Sequence, residues 1–211
     1  MKELNFYIVN LAYVEFLKKA ELEQRGFSRV PNMEYGVQRK PKFLCGIVLQ
    51  INNIDYYVPV TSYKQQKPDN FLVKAKNGLV TSSLRFNYMF PIPKELIVER
   101  TISNEPDVAY RTLLSQELTY CIANQETIQN LATRTYKRVL LGKDLGLVSN
   151  SCSFKLLEQK CKTYFIDPEI KSDKTIFKKM SIKNQLAAAQ IEARRRNNEN
   201  PTNYKKPDHE L

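Results

Sequence analysis

Histidine is almost absent from this chain of 211 residues, and the one copy, His209, stands close to the C-terminus. A Ser-His-Asp triad, a Cys-His dyad or a histidine pair therefore finds no histidine in the body of the protein. Cysteine is scarce as well. Cys45, Cys121, Cys152 and Cys161 form no CxxC pair and no zinc-finger spacing. Each stands in an apolar or helical context, which predicts buried, reduced thiols in a cytoplasm. The acidic residues of the first hundred positions are scattered, with no DxD cluster to hold Mg²⁺. There is no glycine-rich phosphate loop and no GxGxxG, so no cofactor is expected. No window approaches the apolar length of a membrane span. The opening MKELNFYIVN carries Glu3 and Asn5 where a signal peptide needs an unbroken apolar core. Any chemistry here has to work with Lys, Arg, Tyr, Ser and Thr, and without a metal.

What the chain has in excess is positive charge. The formal net charge is +11 and the sequence pI is near 9.4, which points to a polyanionic partner. Charge alone does not separate RNA from DNA or from an anionic membrane surface. The length and a 42% hydrophobic fraction suit one domain of ordinary size with an appendage. We expect a domain over residues 1–170 and a basic extension over 171–211. That extension holds ten Lys/Arg against five Asp/Glu, a net +5. Ile176, Phe177, Met180, Ala187 and Ile191 predict an amphipathic helix there, running into Arg194, Arg195 and Arg196. Asn197–Leu211 has the composition of a disordered tail.

The stretch KPKFLCGIVLQINNIDYYVPVTSYK, Lys40 to Lys64, organises the rest. It reads as two apolar strands, Phe43–Ile51 and Ile54–Val60, around an Asn52-Asn53 turn, because Asn tolerates the positive φ of a two-residue hairpin turn. An antiparallel hairpin returns the chain to its starting edge. Lys42, entering the first strand, should then lie near Thr61, Ser62 and Lys64, leaving the second. Two cations and two hydroxyls at one rim suit a phosphodiester, although strand-end lysines and Thr-Ser turns are also common as plain solvated features.

The flanking chain predicts a strand at Leu4–Val9 and a helix around Ala12–Leu22, with Tyr13, Phe16 and Leu17 on one face. A polar loop from Arg25 to Pro41 delivers Arg39, Lys40 and Lys42 to the hairpin. Phe71–Lys76 and Leu79–Ser83 predict a second hairpin around Asn77-Gly78, and Asn87–Pro93 a short strand closed by prolines. Short strands joined by hairpins suggest a small, strongly bent antiparallel sheet or barrel. Asn104 is the expected cap of a long helix with Pro106 in its first turn, broken near Asn124-Gln125 and ending at Gly142. Ser153–Phe165 predicts another helix, stopped by Asp167-Pro168. The fold class expected is α+β.

One reaction matches an inventory without histidine or metal: cleavage of RNA by its own 2′-hydroxyl. The substrate supplies the nucleophile. The protein then has only to position the phosphodiester, stabilise developing negative charge and handle two protons.

Four stretches, AYVEFL (Ala12–Leu17), the hairpin with Lys42 and its VPVTSYK ending, NYMFPIP (Asn87–Pro93) and YRTLLSQELTYCIANQETI (Tyr110–Ile128), resemble the ToxN/AbiQ endoribonucleases. CSFKLLEQKC, Cys152–Cys161, is similar to that family's C-terminal helix. These are the protein toxins of type III toxin–antitoxin systems and phage abortive-infection loci, and the resemblance spans residues 4–165. It implies a compact SH3-like barrel related to the Kid/MazF toxins, decorated by helices. It implies metal-independent cleavage of substrate mRNA to a 2′,3′-cyclic phosphate and a 5′-hydroxyl. It also implies inhibition by a small repeated pseudoknot RNA antitoxin, in cyclic protein–RNA assemblies, with no membrane or DNA partner. The family's active-site positions fall on Lys42, Thr61, Ser62, Lys64 and Tyr13. RNA contacts are expected from Arg39, Lys40, Lys67, Arg85, Arg194, Arg195 and Arg196.

Two other readings differ in class. A non-catalytic RNA-binding module would use Tyr56, Tyr57 and Tyr63 as stacking platforms and would shift RNA without cutting it. A structural or DNA-binding protein is disfavoured, since no helix-turn-helix is evident and the long helix lacks a basic recognition face.

Overall fold

A computed structural model describes residues 3–35 and 40–165, with Tyr35, Lys40 and Pro41 described through their backbone alone. Strand β1 (Asn5–Val9) leads into helix α1 (Leu11–Arg25). Asn10 starts this helix by accepting a hydrogen bond from the Tyr13 amide, and Gly26 ends it at φ 74°, a conformation that suits a residue without Cβ. The two-residue strands β2 (Glu34–Tyr35) and β3 (Lys40–Pro41) pair antiparallel. Then comes the central hairpin, β4 (Leu44–Ile51) and β5 (Ile54–Thr61), whose turn residues Asn52 and Asn53 adopt φ 50° and 63°. Two successive positive φ values are what a tight hairpin turn requires, and asparagine tolerates them.

The second hairpin also forms, from β6 (Asn70–Lys74) and β7 (Val80–Arg85), with Gly78 at φ 79°. The expected strand over Asn87–Pro93 shrinks to β8 (Phe90–Pro91), which pairs with Tyr56 and Tyr57 of β5. Prolines 91 and 93 carry no amide donor, so the ladder cannot extend through them. Strand β9 (Ile97–Glu99) was not expected from the sequence; it pairs with β1.

Helix α2 (Val108–Ala123) starts three residues later than Asn104 suggests. The Asp107 side chain accepts from the Tyr110 amide and caps it, leaving Pro106 outside. The predicted break is present: α2 stops before Asn124 and α3 (Gln125–Leu141) follows, closed by Gly142 at φ 69°. A short helix α4 (Leu145–Ser149) and the helix α5 (Phe154–Thr163) complete the described chain. Met1–Lys162 forms one compact unit. The expected boundary at residue 170, the helix over 176–191 and the tail lie outside the described residues. No described helix is long and apolar enough to cross a membrane.

The main sheet is antiparallel, in the order β6-β7-β5-β4-β1-β9 with β8 beside β5. It is not the closed barrel expected from the run of hairpins. Its ends are β6 and β9, and no pairing joins them among the described residues. The β6 end is covered instead: Phe71 of β6 packs on Tyr120 of α2, ring centroids 5.9 Å apart. Covering an edge with a helix removes the need to close the sheet.

Every residue from Ile54 to Val60 is buried, so β5 is the spine of the core. Tyr56 donates to Glu158 Oε1 at 2.9 Å, Tyr136 donates to the same oxygen, and Lys155 donates to Oε2 at 3.1 Å. Burial and the adjacent carboxylate push the Tyr56 phenol far above its ordinary range, so it remains a donor. All four cysteines are free and buried.

Beside Tyr57, β4 has room only for glycine. A Cβ at Gly46 would stand 2.2 Å from Tyr57 Cδ1. Gly46→Ala should therefore destabilise the fold by about 1–3 kcal/mol, the usual range for overpacking a core. A urea midpoint equal to that of the wild type would show that the Tyr57 ring can yield.

Candidate active site at the open end of the central hairpin

The register decides which side chains meet. Leu44 faces Pro59, and the Val60 amide donates to Phe43 O at 3.2 Å. Continuing that register outward by one residue sets the Lys42 backbone opposite Thr61. On the other side of β5, Thr61 pairs with Ser83, and Ser83 pairs with Leu72 of β6. Thr61, Ser83 and Leu72 thus form one row across the end of the sheet.

The hydroxyls of this row are linked. Ser83 Oγ donates to Tyr63 O at 2.6 Å, so Thr61 Oγ1, 3.3 Å from Ser83 Oγ, is the donor between the two. Ser62 and Lys64 follow in the turn out of β5, and both are exposed. Lys42 is held from the other side. Its amide donates to Met33 O and its ammonium to Asn32 O, each at 2.9 Å.

Arg85 stands two residues beyond Ser83 on the same face of β7, about 7 Å along the strand. Its guanidinium lies over the rings of Tyr88 and Tyr63, at 4.3 and 5.1 Å from their centroids. Its Nε is buried without a hydrogen-bond partner among the described residues. Arg85, Lys67, Asn87, Tyr88 and Arg138 line one recess of about 290 Å³. The structure thus brings together Lys67 and Arg85, which the sequence could place only as separate basic residues. On the far side of Leu72, Lys67 also lines a groove of about 620 Å³ with Phe71, Lys74, Tyr120 and Arg134. Cations interleaved with aromatic rings suit a single-stranded nucleic acid, whose phosphates and base faces ask for both.

Tyr13 is not brought to this cluster. It is fully buried, and its hydroxyl donates to Pro91 O at 2.8 Å. Pro91 faces Tyr56, which precedes Thr61 by five residues on β5, roughly 17 Å at the usual strand rise. The helical periodicity that put Tyr13 on the inner face of α1 describes its place better than the family position did. Arg39, Arg194, Arg195 and Arg196, and the side chain of Lys40, lie outside what the structure describes. Ser83 and Tyr88 were missed by sequence reasoning. The signal for Ser83 was available, since pairing the second hairpin against the first places it beside Thr61.

The family described as "Toxin ToxN, type III toxin-antitoxin system" matches residues 5–162 of the chain. An endoribonuclease ToxN from Pectobacterium atrosepticum is 28% identical over 170 residues, covering 76% of this chain and 94% of that protein. Endoribonuclease AbiQ from Lactococcus lactis subsp. lactis is 26% identical over 175 residues, covering 76% and 89%. Among solved structures, one from work on a processed non-coding RNA that regulates a bacterial antiviral system superposes with a TM-score of 0.64 at 28% identity. It covers 75% of this chain and 98% of its own. Another concerns selective toxin inhibition by a non-coding RNA pseudoknot, with a TM-score of 0.68 and 77% and 98% coverage. At 22% identity, that likeness speaks for the fold alone.

Proposed function

Since the chain belongs to the ToxN family of type III toxin–antitoxin toxins, we propose that it is a metal-independent endoribonuclease held in check by an RNA antitoxin. What supports this reading is the open end of the hairpin, where exposed Ser62 and Lys64 follow Thr61 and the β4–β5 register, continued by one residue, leads to Lys42. A phosphodiester laid across that end has its non-bridging oxygens facing the Ser62 hydroxyl and the ammonium groups of Lys42 and Lys64. The ribose 2′-oxygen loses its proton and attacks phosphorus in line. The bond to the 5′-oxygen breaks, that oxygen takes a proton, and a 2′,3′-cyclic phosphate and a 5′-hydroxyl remain. A hydroxyl and cations aimed at the charge that develops on the phosphorane supply the acceleration.

The recess and groove around Lys67 and Arg85 hold the RNA on either side of the scissile phosphate. A pseudoknot antitoxin, as in the inhibited structural neighbour, would occupy the same cationic surface and exclude substrate mRNA. We read the assembly as a closed ring of alternating protein and RNA, acting in the cytoplasm against phage.

The test is incubation of purified protein with single-stranded RNA in excess EDTA. Products should carry 2′,3′-cyclic phosphate ends, and a 2′-deoxy substitution at the cut nucleotide should stop the reaction. RNA that is bound but never cut would favour the non-catalytic binding module, for which the Phe71–Tyr120 groove is a ready platform.

Lys42→Ala and Lys64→Ala should each lower the single-turnover rate by at least tenfold more than they weaken RNA affinity. A cation facing charge that exists only in the transition state acts on the rate, whereas a clamp acts equally on bound substrate. Loss of affinity with an unchanged bound-state rate would make these lysines clamps.

A further inference from the structure

Near the turn end of the central hairpin, a cleft of about 540 Å³ opens among β4, β5, β1 and α3. Its floor is Asp55, only 3% exposed. Asp55 Oδ1 accepts from Gln50 Nε2 at 2.6 Å, but Oδ2 has no hydrogen-bond partner among the described residues. Lys94 reaches only to 4.0 Å from that oxygen, on a side chain that is 77% exposed. A buried carboxylate oxygen left in this way is costly, and the cost is relieved by a donor from outside. The wall is aromatic. Tyr7 and Tyr57 line the cleft with their rings edge to face, centroids 5.3 Å apart. Burial pushes both phenols up, helped by Glu99 at Tyr7 and by Asp55 at Tyr57, so their hydroxyls stay protonated. Gln129 of α3 completes the lining, its amide donating to Ile47 O at 3.4 Å and its carbonyl oxygen left as an acceptor.

The geometry points to a pocket for one unstacked nucleobase of a bound RNA, taken with its N–H edge toward Asp55 Oδ2 and its flat apolar body against Ile47, Leu49 and Ile97, with the buried tyrosines behind them. This rests on the reading of the chain as an RNA-binding toxin. A phosphate is disfavoured on the floor, where Asp55 and Glu99 repel it, but Lys94 stands at the rim for the phosphate of the same nucleotide. A base offers what the lining lacks: a donor edge on a flat apolar body. Asp55 lies six residues before Thr61 on β5, roughly 20 Å along the strand. The pocket therefore sets which RNA is held and in what register, and takes no part in bond breaking.

The test uses short single-stranded RNAs with 2′-O-methyl riboses throughout, which bars 2′-hydroxyl attack, and one abasic nucleotide walked along the sequence. Affinity is measured for the wild type, Asp55→Asn and Gln129→Ala. At one position the abasic site should weaken wild-type binding roughly tenfold, the usual scale for losing one stacked base. The same abasic site should cost Asp55→Asn and Gln129→Ala little. Removing a negative charge can raise affinity for any RNA, but that effect is the same at every position and cancels in the comparison. The proposal is overturned if no abasic position matters, or if the loss is as large in both variants as in the wild type. Binding is read whether or not the protein cleaves. Cleavage of unmodified RNA, measured in parallel, tests the nuclease reading separately: cleavage without a position-specific loss overturns the pocket alone.

Discussion

Ser62→Ala is expected to lower the single-turnover rate of RNA cleavage by roughly 10²–10³-fold, the usual cost of removing one donor aimed at transition-state charge. It should abolish toxicity in cells while the urea midpoint stays put. The two halves of that expectation have separate physical grounds. Ser62 is exposed just past the end of β5 and supports no core contact, so an alanine there should change stability by no more than about 0.5 kcal/mol. Thr61 differs. Its hydroxyl is already tied to Ser83, whose own proton goes to Tyr63 O. Thr61→Ala would disturb the pairing of β5 with β7 as well as any contact to substrate, and its loss of rate would be harder to interpret. Ser62 is the cleaner probe. A well-expressed, folded Ser62→Ala protein that remains toxic would remove this residue from the site.

What the sequence made legible was local. Asn52-Asn53 and Asn77-Gly78 announce two hairpins because few residues accept a positive φ, and a hairpin fixes its own register. From the first of them, the pairing of Leu44 with Pro59 at the open end follows by counting. The stop at Gly142, φ 69°, is legible for the same reason, whereas the break at Asn124 shows only as a polar pair, Asn124-Gln125, interrupting the apolar spacing. What stayed hidden depends on contacts distant in the chain. Strand β9 is three residues long and becomes a strand only because β1 offers it an edge. Whether a run of hairpins closes into a barrel depends on what covers the end strand, and here α2 covers β6. The aromatic sandwich around Arg85 needs Tyr63 from one hairpin and Tyr88 from the turn after the other. No spacing in the sequence encodes that meeting.

The same limit applies to Glu21, whose replacement should have the largest effect on stability. By periodicity it is one more charged residue on α1, yet it is fully buried. Oε2 accepts from Ser28 Oγ at 2.9 Å, Arg29 N at 2.6 Å and Val30 N at 3.2 Å. Oε1 accepts from Arg25 Nη1 at 3.2 Å and from the Ser153 amide, just ahead of α5. One carboxylate therefore joins the end of α1, the loop after it and the start of α5. Glu21→Ala leaves those amides and a largely buried guanidinium facing a void, and should cost about 3–5 kcal/mol. That is a large part of the roughly 5–15 kcal/mol that holds a typical domain together. Glu21→Gln keeps the shape but turns one acceptor into a donor among donors, so it should still lose about 1–3 kcal/mol. Urea unfolding measures the totals, and hydrogen exchange locates them: the Arg29, Val30 and Ser153 amides should lose protection first. Glu21→Ala within about 0.5 kcal/mol of the wild type would mean that solvent or a rearranged loop satisfies these donors as well as the carboxylate does. Because Glu21 touches neither Lys42 nor Thr61, cleavage should fall only in proportion to the folded fraction. That outcome separates it from Ser62→Ala, where the fold remains and the chemistry goes.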